Sequence, residues 1–280
     1  MLVEARLYTD PACVWSWATE PQRRRLEWEF GDAIAFRPVM GGMARTIEEA
    51  DRRALIVEWL EVTAATGMPT DPLIWARNPL SSSYPACQAV KAAAEQGPGA
   101  AMRYLRALRE GIMLGGRRLD HAEALIAEAG PAGLDRERFE IDLRSHAIVE
   151  AFGNDLEEVR DPPEEAREAG QVRPAVGGRE RVGFPSVVFA GDGDERAAVY
   201  GPAPYERLRE AAIAAGAEPA EERPPEPLEA IARFGRLATR ELEELTTRPR
   251  PVLEAELWAL AREWRLKPEI SPFGVLWEAA

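Results

Sequence analysis

Cysteine and histidine are both scarce, with two of each in 280 residues. Cys13 and Cys87 are too few for a disulfide framework. The isolated His121 and His146 form no spacing that would bind a metal or pair with Cys13, so no metal site is expected. Long apolar runs are missing as well. No stretch reaches the roughly 18 residues needed to span a bilayer. The N-terminus opens on a strand pattern, without the basic region and apolar core of an export signal. Both features predict a cytoplasmic protein with no membrane partner, in a compartment where a lone thiol stays reduced. Positive charge is the third deficit. Thirty-five Lys+Arg stand against 48 Asp+Glu, a net charge of −13, which argues against general binding to nucleic acid or acidic lipid.

What remains is ordinary for a folded domain, at 46% hydrophobic and 30% charged residues, and long enough for two lobes. Residues 2–8 read as a buried strand, followed by a helical pattern ending near Gly31 and a second strand at 34–39. From 46 to about 159 the chain reads as helices. Thr46-x-x-Glu49 resembles a capping box, with the helix closing near Gly67. Pro85 suits a first helical position, with Ser83 or Tyr84 preceding it, and Asp120-x-x-Glu123 marks a further start. Residues 139–152 continue the helical pattern. A charged connection at 157–181 precedes strands Ser186–Ala190 and 197–200, with Gly191-Asp192-Gly193-Asp194 as a hairpin turn, and a helix at 204–215. The Pro/Glu stretch 218–227 reads as a linker. Beyond it, three helices (228–234, 239–245, 253–264) and a terminal run (266–277) suggest a winged-helix-like module. From 226 to 280 there are 8 Lys+Arg against 10 Asp+Glu, a net of −2, so the footprint of a nucleic-acid binder is missing.

The stretch Asp10-Pro11-Ala12-Cys13-Val14-Trp15-Ser16-Trp17 carries the chemistry. A cysteine where a strand hands over to a helix start meets unpaired backbone N–H groups and the positive end of the helix dipole, which favour thiolate. The spacing is Cys-x-x-Ser. Ser16 can donate a hydrogen bond to a Cys13 thiolate but cannot close a disulfide. Trp15, and with it Trp17 unless that ring is core, would rim the thiol. Gly183-Phe184-Pro185-Ser186 precedes a strand in the manner of a cis-proline loop. Cys87 has two readings, a small residue on a packed helix face or a second thiol able to resolve an oxidised Cys13.

The order strand, Cys helix, strand, helical insert, hairpin, helix resembles the DsbA family of thioredoxin-fold proteins. Within that family the chain is similar to the branch containing the ClpXP protease adapter that delivers the transcription factor Spx. The matching residues are Asp10-Pro11-x-Cys13 with Trp17-Ala18 and Glu20-Pro21, then Ser82-Ser83-Tyr84-Pro85-Ala86 leading to Ala89-Val90-Lys91-Ala92-Ala93. Further matches are Asp142-Leu143-x-Ser145 with Ala151-Phe152 and Asp155-Leu156, and Phe184-Pro185-Ser186-Val187-Val188-Phe189. In the tail they are Leu228-Glu229, Thr239-x-Glu241, Glu256-Leu257 and Phe273-Gly274 with Trp277. The chain departs from redox-active members at Ser16, where they carry a second cysteine. Residues 13–17 also resemble the Ser-Pro-Tyr-Ser motif of kappa-class glutathione transferases and related isomerases.

The resemblance implies an α/β fold: a thioredoxin-like domain at 1–44 and 172–217, an inserted helical domain at 45–171, a linker at 218–227 and a C-terminal module at 228–280. It implies two functions of different kind. One is a monothiol thiol-disulfide oxidoreductase with Cys13 and Ser16 catalytic, Trp15, Phe184 and Pro185 binding substrate, no resident cofactor, and a client disulfide or glutathione as co-substrate. The other is a protein-binding adapter that presents a client for proteolysis, with ClpX as partner and Cys13 optional.

Overall fold

The computed structural model describes residues 2–97, 99–193, 195–221 and 223–280. Asp194 of the expected hairpin turn and Glu222 of the expected linker lie outside the described residues. Strand β1 (Val3–Thr9) alternates Val3, Ala5 and Leu7 into the core, and pairs in parallel with β2 (Ile34–Met40), Val3 opposite Ile34 through to Thr9 opposite Met40. Between them run α1 (Val14–Ala18) and α2 (Glu20–Phe30), the latter closed by Gly31 at φ 53°, a conformation open to glycine at little cost.

The helical lobe follows as α3 (Glu49–Thr66), α4 (Ile74–Arg77), α5 (Tyr84–Ala94) and α6 (Ala100–Met113). It continues as α7 (Ala122–Ala129), α8 (Arg136–Leu143), α9 (His146–Val159) and α10 (Glu164–Glu168). A two-stranded ribbon of β3 (Val172–Pro174) and β4 (Glu180–Val182) leads back to β5 (Ser186–Ala190), β6 (Arg196–Tyr200) and α11 (Tyr205–Ala214). The main sheet has the order β2-β1-β5-β6, with β5 antiparallel to both neighbours. This is the thioredoxin-like sheet with a helical insertion. One buried core runs from Val3, Leu7 and Phe189 of the sheet to Trp59, Leu105 and Phe139 of the lobe.

Local expectations are corrected in four places. Glu48, not Thr46, caps α3, its N–H donating to Asp51 Oδ2 at 3.3 Å. His121 stands at the start of α7, because the Asp120 carboxylate is taken by the Ser81 N–H (2.6 Å) and Arg118. The stretch 139–152 is not one helix. Ser145 stops it and caps α9 by accepting the Ala147 N–H at 3.2 Å, as a short polar side chain at that position favours. The connection 157–181 holds the end of α9, then α10 and the β3–β4 ribbon.

The C-terminal module comprises α12 (Pro227–Phe234), β7 (Leu237–Ala238), α13 (Thr239–Thr246), α14 (Arg250–Arg262), β8 (Leu266–Ser271) and β9 (Gly274–Ala279). Its terminal run is a β-hairpin in a three-stranded sheet of order β7-β9-β8. Ile231, Leu242, Leu253, Leu257 and Trp277 give it a core of its own. Among the described residues no helix is long and apolar enough to cross a membrane.

An ionic cluster joins the module to the rest. Glu20 at the start of α2 is 1% exposed and accepts from Arg23, Arg109 and Arg106. Arg106 shares the Nη1 that reaches Glu20 with Glu241 of α13, which it grips with both terminal nitrogens at 2.6 and 2.9 Å. Glu241 also accepts the Ala238 N–H at 2.8 Å. Arg236 closes the rim on Glu110. Removing one partner of such a pair leaves an uncompensated buried charge. Glu241→Ala is therefore expected to lower stability by about 3–5 kcal/mol, measured by urea unfolding with Trp fluorescence; a loss within about 0.5 kcal/mol, the range of a neutral surface change, would contradict the account. A pH dependence follows too. Burial opposes ionisation of Glu20, yet the surrounding arginines hold its carboxyl well below the usual glutamate value of 4.5. A depressed folded pKa gives stability that is complete above that value and drains away as the pH falls beneath it. The melting temperature should fall steeply below about pH 4.5, and the Glu20→Gln variant should start lower and fall less.

Candidate functional site

Cys13 stands at the N-cap of α1, where its N–H donates to the Asp10 carbonyl at 3.1 Å and its carbonyl accepts from Trp17 N–H at 3.1 Å. Phe184 and Tyr8 pack beside it in a small buried cluster. The Phe184–Pro185 peptide bond is cis. Ser186 anchors this loop, its hydroxyl donating to the Gly183 carbonyl (2.8 Å) and accepting the Gly201 N–H (3.1 Å). Gly41 is required on the other side: a Cβ there would fall 1.9 Å from Phe184 Cζ. The phenyl ring is thus fixed over the thiol's surroundings by a residue 143 positions away in sequence.

The thiol is not the exposed thiolate that its helix position suggests. Cys13 is 5% exposed, and burial pushes its pKa up. The Ser16 hydroxyl and N–H pull it down, Asp10 pushes it up, and Arg181 pulls it down. Desolvation outweighs the stabilising groups in this closed geometry. Ser16 is itself 3% exposed, its Oγ meets the geometry of a full hydrogen bond with no partner among the described residues, and it lines a cavity of ≈ 30 Å³ together with Glu20, Arg109 and Pro185. Trp15 is partly buried and its indole donates to Glu58 Oε1 at 3.2 Å. Trp17 is wholly core, its indole N–H on the Pro69 carbonyl at 2.8 Å and the Arg106 guanidinium 4.7 Å over its ring, so it does not rim the thiol.

Cys87, at the start of α5, is 0% exposed and unpaired. Its Sγ donates to Asp10 Oδ2 at 3.4 Å. Burial, and after it the Asp10 carboxylate, holds this thiol protonated well above the ordinary range.

Three site residues went unassigned at the level of sequence. Asp10 is 0% exposed and accepts from Ala12 N–H (2.9 Å), Met43 N–H (2.6 Å), Ser83 Oγ (2.8 Å) and Cys87 Sγ. It ties the β1–α1 turn, the segment after β2 and the start of α5 into one frame. Its place in Asp10-Pro11-x-Cys13, a turn residue with a carboxylate, was the available signal. Arg109 of α6 joins Thr9, at the end of β1, to Glu20; nothing local marks it. Arg181 of β4 lies 4.1 Å over the Phe184 ring, inside what reads in sequence as a charged connection. Next to the site, Tyr8, Glu158, Asp161, Val182 and Tyr200 line an open groove of ≈ 390 Å³. Tyr8 donates to Glu158 at 2.7 Å, and burial with that carboxylate pushes its hydroxyl up to about 12. Among the described residues no cluster of three or more His, Cys, Asp or Glu is placed to hold a metal.

A thioredoxin-like sheet, a cysteine at the first helix start and a cis-proline loop beside it define a DsbA-like protein of the thioredoxin class. A family model described as Thioredoxin matches residues 7–161, and the chain belongs to that family. The ClpXP adapter protein SpxH of Halalkalibacterium halodurans is 32% identical over 57% of this chain and 55% of its own length. The chain thus matches about half the length of this relative. The protein of the same description from Shouchella clausii is 25% identical over 99% of this chain and 88% of its own length. A solved structure from Nitrosomonas europaea, a protein disulfide isomerase candidate, covers 76% of this chain and 97% of its own at TM-score 0.62 and 19% identity, a likeness of fold.

The balance of groups around Cys13 sets its titration. Alkylation of Cys13 followed by mass spectrometry, with Cys87→Ala as background, should give a half-point above the ordinary cysteine value of about 8.5. Ser16→Ala should move it further up and Asp10→Asn down. A half-point well below 8.5 in the unmodified site would show that the closed, desolvated geometry does not govern the thiol.

Proposed function

We propose that the chain is a protein-binding adapter of the ClpXP type, a DsbA-like scaffold that holds a client protein and presents it for proteolysis in the cytoplasm. The observation that carries this reading is the match to an adapter over 99% of this chain, C-terminal module included. An enzyme that shared only the thioredoxin core would leave that module unmatched. The closed state of Cys13 agrees with it, since an adapter needs a shaped surface more than a prepared thiolate. Helix–strand–helix–helix–hairpin, the order of the C-terminal module, supports its reading as winged-helix-like. With a net charge of −2 it suits a protein partner better than nucleic acid.

A second reading has its own support in the placement of Cys13, Ser16, Trp15, Phe184 and Pro185 around one helix start. In it Cys13 gives its proton to solvent and the thiolate attacks one sulfur of a client or glutathione disulfide. The S–S bond breaks, the second sulfur leaves as thiolate and takes up a proton, and an external thiol later displaces the mixed disulfide to free Cys13. Ser16 donates to the thiolate in this scheme and the Phe184–Pro185 backbone aligns the substrate. Glutathione serves as co-substrate with no resident cofactor. Cys87, buried and donating to Asp10, stays out of the cycle unless the start of α5 opens to make it the resolving thiol.

The two readings part on Cys13→Ala. As an adapter, purified protein should bind purified ClpX and speed degradation of its client by ClpXP equally well with or without the sulfur. Charge substitutions at the exposed Ile141 and Val149 of the helical lobe should reduce that effect. Loss of ClpX binding on Cys13→Ala, or no binding by the unmodified protein, would overturn the adapter reading. Turnover of a glutathionylated peptide that vanishes with Cys13 would favour the thiol chemistry.

A further inference from the structure

Arg181 stands apart from the arginines of this chain's ionic clusters. Arg6, Arg23, Arg106, Arg109 and Arg236 are each set against one or more carboxylates. Among the described residues Arg181 has no such partner. Its Nη1 donates to the Val182 carbonyl at 2.9 Å, its Nε is buried without an acceptor, and the Phe184 ring supports its flat face. Asp10, whose negative charge it feels, already accepts from four donors of its own. Burial works against the charged guanidinium, and Cys13 and Asp10 supply the opposing pull. A half-buried cation stacked on a ring and lacking an anion is a standing electrostatic cost that a bound carboxylate would relieve. The ring beneath it packs against Gly41 and belongs to the same buried cluster as Cys13, so the cation sits over a ring of the Cys13 cluster.

We propose that Arg181, stacked on Phe184, is the anion-anchoring residue of a subsite beside Cys13, taking the carboxylate of a small peptide thiol or thioether whose sulfur lies at Cys13. The subsite rests on the second reading for the identity of the sulfur group and selects acidic peptide thiols over neutral or cationic ones. A guanidinium edge holding a carboxylate makes charge-assisted hydrogen bonds, and a neutral ester of the same peptide cannot replace them at full strength.

The test uses S-methylglutathione, a thioether that cannot exchange with Cys13, titrated into the full chain and followed calorimetrically. Arg181→Gln should weaken binding about tenfold, a difference of about 1.4 kcal/mol. The diethyl ester should bind the unmodified chain more weakly by a similar factor and be indifferent to Arg181→Gln. Arg173→Gln, an exposed neighbour on β3, should leave both ligands unaffected, and melting curves check that the Arg181 variant is folded. Equal binding by Arg181→Gln, equal binding of ester and acid, or no saturable binding by the unmodified chain would each overturn the subsite. Mixed-disulfide formation between oxidised glutathione and Cys13 is read separately by mass. Its absence with S-methylglutathione still bound through Arg181 would sink the thiol-transfer reading and leave the subsite standing.

Discussion

The Asp10 carboxylate is wholly buried, forms no ion pair among the described residues, and is held by two backbone N–H groups, a hydroxyl and a thiol. A buried charge of this kind survives only if its acceptor sites are filled, and the four donors here come from three pieces of chain. Ala12 fixes the turn into α1, Met43 fixes the exit from β2, and Ser83 and Cys87 fix the start of α5. The approach of the helical lobe to the Cys13 helix is therefore set by one side chain. The same negative charge raises the thiol that it positions, so the frame of the site and the reactivity of the site are coupled electrostatically.

That coupling explains why the two functional readings share one structure. A thioredoxin-like fold offers a groove beside a cis-proline loop whether or not chemistry occurs there. Here Phe184, packed against Gly41, is buried in one cluster with the thiol, while Ser16, Arg181 and the α1 N-terminus remain arranged around it. With the cleft closed, desolvation wins and the protein presents a surface. A partner that opened the cleft, or filled it with its own polar groups, would change the balance without altering any residue.

Much of the architecture was legible in the sequence because its signals are local. The apolar alternation of β1, the Cys13 helix start, Gly67 after α3 and the Phe184–Pro185 loop each announce themselves within a few residues. The break at Ser145 was visible in principle as a capping serine and was masked by the apolar pattern continuing on both sides. The final hairpin was hidden because Trp264 to Trp277 reads as a mixed run without an Asn-Gly or Asp-Gly turn. Arg181, Arg109 and the role of Gly41 were not legible at all, and of Asp10 only its place in the turn was. Arg109, Gly41 and Asp10 depend on groups dozens of positions away, and Arg181, an isolated arginine in a charged stretch, looks like solvated surface until the ring beneath it is placed.

The ionic cluster on α2 has a consequence for how this chain can be divided. Glu20, Arg23, Arg106 and Arg109 belong to the thioredoxin-like and helical parts, while Glu241 comes from the module beyond the linker. Cutting the chain at the linker would not release a smaller version of the same protein. It would uncover Arg106 on one fragment and Glu241 on the other, two opposite charges shaped to meet. A gene rearrangement that exchanged the module for another would have to bring its own acidic group to the same spot or change Arg106 with it. The seam that looks like the natural place to split the protein is, in charge terms, where its two parts are least independent.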